Sequence, residues 1–273
     1  MLEGKVAIVT GSARGIGRAA AELLAEQGAS VLINDIDRDA AEQTAAEIEG
    51  ETAVFAGDLT ADDAPGRLVG TAVDAFGKLD IVVNNAGYTL DAPIHKMTDD
   101  AFQAMLDIHT VVPFRVLRAA APYLREPAKV ERERGEEVFR KIVNVTSISG
   151  TFGGAGQANY SSAKAGVVGL TKALAKEWGK FKVNCNAVAY GFVETRLTVA
   201  KTEDTNVEIG GRTARIGVPQ ARREAIETMI PLGRAATPRE AAGGILLLCL
   251  PYSDYVHGQV LYVNGGLTSG MGS

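Results

Sequence analysis

The sequence predicts an α/β fold: a doubly wound parallel sheet with helices on both faces. Three observations lead there. Short apolar runs alternate with longer amphipathic stretches along the chain, and strands separated by helices pair in parallel through right-handed crossovers. The apolar runs are continuous rather than alternating, as in Val6-Ala7-Ile8-Val9, which suits strands buried on both faces. No internal repeat or low-complexity linker divides the 273 residues, so a single domain over 1–273 is expected.

The elements follow in order. Val6 to Val9 reads as the first strand, and Arg18 to Gln27 as a helix ended by Gly28. Val31-Leu32-Ile33 is the second strand, Ala40 to Ile48 a helix closed by Gly50, and Thr52 to Ala56 the third strand. A helical stretch from Asp62 to Phe76 precedes the fourth strand, Ile81-Val82-Val83. Asp99 to Leu124 reads as one long helix interrupted at Pro113 and Pro122. Ile142 to Val145 is the fifth strand, Ala158 to Trp178 a long helix, Val183 to Val188 the sixth strand, Glu240 to Leu250 a late helix and Val260 to Val263 a last strand. Two segments stand apart. Residues 125–141 carry six basic side chains against five glutamates and read as a solvated extension or a docking surface. Residues 198–219 are polar and contain glycine; a loop there borders the ligand crevice of an open α/β sheet and suits a substrate lid.

Composition excludes several classes. With 46% hydrophobic and 22% charged residues, neither disorder nor a fibrous repeat is expected. A net charge of −5 repels phosphate backbones, so no nucleic-acid partner is expected. The longest apolar run, Ile245 to Leu250, falls far short of the roughly 18–20 residues that span a bilayer, so no membrane association is expected. The N-terminus leads directly into a strand without a secretory pattern, and Cys185 and Cys249 lie in apolar surroundings. Buried thiols in a reducing cytoplasm are expected. His95, His109 and His257 are scattered without zinc spacing, so no metal site is expected.

The first strand ends in Thr10-Gly11-Ser12-Ala13-Arg14-Gly15-Ile16-Gly17, and a helix follows at once. Glycines there permit a tight turn and close backbone approach to a pyrophosphate, which rests on the positive helix N-terminus. Asp35 stands eighteen residues after Gly17, beside Ile36, at the end of the second strand. A carboxylate there accepts from ribose hydroxyls and repels a 2′-phosphate, which favours NAD. Arg14 pulls the other way, so NADP is the alternative. Asp58-Leu59 after the third strand meets the adenine end in this reading, and Asn84-Asn85-Ala86-Gly87 supplies small residues where a cofactor passes close to backbone.

Chemistry is carried by Ser147, Tyr160 and Lys164. Tyr160 and Lys164 are four apart, on one helical face, and Ser147 ends the fifth strand on the rim where sheet ligands bind. A free tyrosine has a pKa of about 10; bringing it down by about three units needs roughly 4 kcal/mol of preference for the phenolate. A nearby lysine ammonium, helped by a nicotinamide cation in a dry site, would supply that. The serine hydroxyl can then hold the substrate oxygen as charge builds on it.

Together, Thr10-Gly-x-x-x-Gly-x-Gly17, Asp58, Asn84-Asn-Ala-Gly87, Ser147 and Tyr160-x-x-x-Lys164 resemble the short-chain dehydrogenase/reductase family from Lys5 to Gly266. The stretches Gly150 to Gly166 and Gly191-Phe-Val-Glu-Thr195 resemble its 3-oxoacyl-(acyl-carrier-protein) reductase branch. The resemblance implies a Rossmann-type sheet of about seven parallel strands, an NAD(P) cofactor, reversible hydride transfer between ketone and secondary alcohol, and a small-molecule or acyl-carrier-linked carbonyl substrate. It implies that Tyr160 and Lys164 also touch the cofactor, that Gly191, Val193 and Thr195 lie around its carboxamide, and that the chain forms a homotetramer through the helices at 99–124 and 158–178. Three departures stand out. His109 occupies the position of the family's catalytic asparagine, Tyr190 that of a proline, and 125–141 is longer than the branch carries. In the family, the asparagine's main-chain carbonyl holds a water in the proton relay. Pro113, which cannot donate to the His109 carbonyl four residues earlier, would let His109 keep that role. The alternatives are an imidazole that joins the relay and a merely packed ring. Two other functions remain open: a dehydrogenase of a steroid, terpenoid or other cyclic alcohol, and a catalytically silent NAD-binding scaffold.

Overall fold

Val6–Val9 is fully buried along its length because Ala7 and Val9 face one core layer while Val6 and Ile8 face the other. This two-faced burial places β1 (Val6–Val9) in the middle of a sheet. The computed structural model describes residues 1–199, 206–209, 212–215 and 217–269. After β1 come α1 (Gly15–Glu26), β2 (Ser30–Asp35), α2 (Arg38–Glu47), β3 (Thr52–Ala56), α3 (Ala64–Phe76) and β4 (Ile81–Asn84). Then follow α4 (Asp99–Leu106), α5 (Val112–Glu133), β5 (Arg140–Ser147), the short α6 (Ser149–Phe152), α7 (Ala158–Trp178) and β6 (Val183–Tyr190). The chain ends with β7 (Asn206–Ile209), β8 (Arg212–Arg215), α8 (Gln220–Met229), α9 (Pro238–Cys249) and β9 (Val260–Val263).

Seven strands form one parallel sheet in the order β3-β2-β1-β4-β5-β6-β9. The chain winds outward from β1 to β3, returns to place β4 on the other side of β1, and winds outward again. The crevice where the order reverses, at the carboxyl ends of β1 and β4, is where a doubly wound sheet binds its ligand. One core layer packs α1 and α9 on the sheet, with Leu24 and Ile245 fully buried. The other packs α3, α4, α5 and α7, with Leu68, Met105 and Leu117 fully buried. A reciprocal capping box between Thr237 and Glu240 starts α9. The Rossmann-type doubly wound fold is as expected.

Several boundaries differ from expectation. The helix expected over 99–124 is two helices joined by a π-helical turn, Asp107–Val111. Pro113 follows directly on the π-helical turn, in the first turn of α5, and Pro122 and Pro127 lie inside α5 without ending it. The charged segment 125–141 is not simply solvated. It carries α5 on to Glu133, and the Arg125 guanidinium lies 4.7 Å from the Phe181 ring centroid. β5 starts two residues earlier than expected, at Arg140, and Arg140 and Lys141 are both buried. Arg140 makes a two-pronged pair with Glu131 at 2.7 and 2.8 Å, while Lys141 reaches Asp254 at 2.6 Å. Within the expected substrate loop 198–219, β7 and β8 pair antiparallel, Asn206 opposite Arg215. Residues 200–205, 210–211 and 216 lie outside the described residues. Cys185 and Cys249 are free and buried, and burial pushes both thiols up to about 12.

Candidate active site

The glycine turn at the end of β1 is tied to the turn after β4. The Thr10 hydroxyl accepts from the Asn85 and Ala86 N–H groups at 2.9 and 3.0 Å, and Asn85 Nδ2 donates to the Thr10 and Gly11 carbonyls at 2.9 and 3.1 Å. Gly11 has φ +64°, and a Cβ there would come within 2.8 Å of the Ala86 Cα, so a side chain would push the two turns apart. A Cβ on Gly17 would overlap the Gly11 carbonyl, so α1 packs directly on the turn. Gly15 has φ +59°, and a Cβ there would stand in ordinary contact with Thr195, 3.7 Å from its Cγ2.

This turn fits a dinucleotide. No side chain caps α1, and no acidic residue stands in its first turn; the positive helix end is therefore left without a side-chain partner and suits a pyrophosphate. Asp35, at the end of β2, accepts from the Ala13 and Asp37 N–H groups at 3.4 and 3.2 Å. Exposed Ile36 lies beside it. Arg14 is committed to Asp37, with Nη2 2.7 Å from Oδ2.

Other expected cofactor residues act through backbone or packing. The buried Ser12 hydroxyl turns inward, donating to the Val9 carbonyl at 2.7 Å and accepting from the Asn34 N–H at 3.0 Å. Asp58 Oδ1 accepts from the Thr60 N–H and hydroxyl at 2.9 and 2.7 Å, and Leu59 is core. Ile16 is partly buried against the layer under α1. Val193 is buried and pairs with Ala236. Gly191 abuts Asn264, whose Cβ would lie 2.8 Å from a Cβ at 191. Tyr190, in place of the family's proline, sinks into the core and donates its hydroxyl to the Ala241 carbonyl at 2.9 Å. Sequence reasoning missed Asn34, whose side chain accepts from the Gly11 N–H at 3.3 Å, and Thr146, whose hydroxyl donates to the Lys164 carbonyl at 2.8 Å. Polar residues near the ends of otherwise apolar strands were the available signal.

Ser147, Tyr160 and Lys164 are brought together on the carboxyl rim of the sheet. Ser147 ends β5, its Oγ accepts from the Ser149 N–H at 3.1 Å, and it lies near enough to the Tyr160 phenol to oppose the upward pull of burial there. One turn along α7, Lys164 is buried and donates from Nζ to the Val145 carbonyl at 2.8 Å. Its Nζ lies 5.6 Å from the Tyr160 ring centroid. The electrostatics differ from expectation. Burial pushes Tyr160 up to about 12, opposed by Ser147 and aided by the Asp91 charge. Burial also brings Lys164 down to about 7. An ammonium that is itself costly to hold in a dry site does not by itself lower the phenol. His109, in the π-helical turn, is buried with its ring edge-on to Tyr160, the centroids 5.1 Å apart. Ser149 and Gln157, at 3.0 Å, and Gln157 and Asp91, at 2.9 Å, form a polar chain beside this group.

Comparison with known proteins agrees with this geometry. A family model described as enoyl-(acyl carrier protein) reductase, of the short-chain dehydrogenase type, matches residues 11–268. Among similar proteins, the 3-oxoacyl-(acyl-carrier-protein) reductase FabG of Thermotoga maritima is 36% identical over 97% of this chain and 98% of its own. That of Vibrio harveyi is 38% identical with the same coverage, and that of Aquifex aeolicus 36% identical, again over 97% and 98%. This chain belongs to the short-chain dehydrogenase/reductase family and is an NAD(P)-dependent oxidoreductase that works on the ketone/alcohol pair.

Proposed function

We propose that the protein reduces a 3-oxoacyl thioester to the 3-hydroxyacyl thioester, with NADH as the hydride source. The observation that carries the reading is the grouping of Ser147, at the end of β5, with Tyr160 and Lys164, one turn apart on α7 with the ammonium 5.6 Å from the phenol ring centroid, on the rim that also holds the glycine turn. The nicotinamide ring, when bound, supplies the hydride and, once oxidised, a positive charge beside the phenol. In reduction, Ser147 and Tyr160 hold the carbonyl oxygen, and Tyr160 gives it a proton as charge builds there. Lys164 orients the ribose end of the cofactor and favours the phenolate that remains. The thioester substrate is supported by the names of the relatives.

NADH is supported by charge. Asp35 and Asp37 are two carboxylates at the end of β2, and the one cation of the glycine turn, Arg14, is already paired with Asp37. A 2′-phosphate dianion would meet repulsion from these carboxylates. Exposed apolar side chains on α4 and α5 (Phe102, Phe114) and from α9 onward (Leu247, Tyr252, Tyr255) support a homotetramer. The two buried free thiols fit a cytoplasmic setting. No helix among the described residues is long and apolar enough to cross a membrane.

The test is a substrate panel of an acetoacetyl thioester, cyclic ketones and a steroid ketone with each reduced cofactor, read at the nicotinamide absorbance band. The thioester with NADH is expected to give the highest kcat/KM, and Asp35→Ser to improve KM for NADPH. Faster turnover of a cyclic ketone overturns the substrate, and a tenfold wild-type preference for NADPH overturns the cofactor assignment.

A further inference from the structure

His109 carries contacts that its main-chain role in the family would not require. The π-helical turn Asp107–Val111 places its ring under the catalytic face, and the residue is buried. Nε2 lies 2.7 Å from the Tyr88 carbonyl; a carbonyl only accepts, so Nε2 carries the hydrogen. Nδ1 is buried and has no hydrogen-bond partner among the described residues. A proton on Nδ1 would therefore have no acceptor, and it would put a second cation near Lys164. Burial first, then Lys164, hold the imidazole well below its usual range, against the opposing pull of the Tyr88 carbonyl. The ring is a neutral group with one fixed tautomer.

Gly87 gives an independent observation. Its φ is not positive, so backbone conformation does not demand glycine there. Space does: a Cβ at 87 would lie 2.6 Å from His109 Nδ1 and overlap Cε1. One ring thus touches three things at once: Gly87, the Tyr88 carbonyl and, at an interplanar angle of 87°, the ring of Tyr160.

We infer that the His109 imidazole is a positioning residue: as a neutral ring it fixes Tyr160 edge-on, keeps water from its inner side, and ties it to the Asn85–Tyr88 backbone on the cofactor side of the crevice. It acts through Tyr160 and transfers no proton itself. The inference rests on the assignment of Tyr160 as the proton donor.

Two measurements test it. The chain has three histidines, so a 15N-histidine-labelled sample gives a short set of two-bond 15N–1H correlations. His109 is expected to keep the neutral Nε2–H pattern from pH 8 to pH 5, and a His109 signal that titrates between pH 6 and 7 overturns the inference. This readout needs no substrate, so it stands even where the thioester assignment fails. The second measurement uses Gly87→Ala, expected to lower kcat at least about tenfold, with His109→Asn in the same chain restoring most of the loss. His109→Asn alone is expected to admit water to the phenol and move the Tyr160 limb of the pH–rate profile down by at least about half a pH unit, with little change in Tm. A merely structural ring would lower Tm and leave the limb in place; that outcome, or a Gly87→Ala defect not relieved by His109→Asn, overturns the inference.

Discussion

In the proposed reaction Tyr160 exchanges a proton from a place where burial holds its hydroxyl near 12. The groups that help are few: Ser147 opposes the upward shift, and Lys164 lies one turn away but is itself brought down to about 7. In the proposed reaction a further positive charge entering the crevice would favour the phenolate, which would couple the acid–base step to cofactor binding. Tyr160→Phe keeps the ring against His109 and removes the hydroxyl. Turnover is expected to fall at least about a hundredfold while NADH binding, followed by nicotinamide fluorescence, is retained; wild-type turnover in that variant would remove Tyr160 from its role. The residues of this site were legible because their spacing is set by the fold: a helix turn separates Tyr160 from Lys164, and a strand end exposes Ser147. Their charge states were not, because burial depends on what packs above them, and residues such as Asp91 and His109 arrive from distant segments.

Among the elements, α5 shows how packing overrides local preference. Proline inside a helix costs about 3 kcal/mol, yet α5 runs through Pro122 and Pro127. Its buried stripe of Val116, Leu117, Ala120, Leu124 and Ala128 binds it to the sheet, and Pro122 lies on the exposed side, where the carbonyl it frees meets water. The sequence alone suggests an end at Leu124 because proline and dense charge both resemble a terminus; beyond it, Arg125 packs on the rings of Trp178 and Phe181 at the end of α7 and in the turn at Gly179–Phe181. By contrast β3, α7 and β9 were legible to the residue, since unbroken apolar runs and long periodic stretches leave little choice. The extension holds a buried pair that a solvated segment would not. Glu131→Gln leaves the Arg140 guanidinium buried without its carboxylate and is expected to cost about 3–5 kcal/mol. Glu126→Gln, which breaks the exposed pair with Lys129, is expected to cost at most about 1 kcal/mol. Urea denaturation of the two variants measures the difference, and equal midpoints would show that Arg140 does not depend on Glu131.

At the scale of the whole molecule, the buried active-site lysine sets a stability slope. Lys164 binds its proton more weakly folded, at about 7, than at its ordinary 10.5. Between these values the unfolded chain holds more protons, so stability rises with pH by on the order of 1.4 kcal/mol per unit, and the contribution is flat below pH 7. The Tm of the wild type relative to Lys164→Met is expected to climb from pH 7 to pH 10, measured by thermal unfolding without cofactor; a constant difference would place Lys164 in water. A second buried cation has a consequence for synthesis. Strand β5, next to the middle of the sheet, opens with Arg140 and Lys141, and their partners lie on opposite sides of it in the sequence: Glu131 before, Asp254 after. A nascent chain can satisfy Arg140 as soon as the strand leaves the ribosome, but the Lys141 ammonium has no carboxylate until more than a hundred further residues have emerged. Until then the Asn184 side chain, at 3.0 Å, is its nearest polar partner, so a chain cut short before Asp254 is expected to hold this end of β5 less firmly than the whole protein.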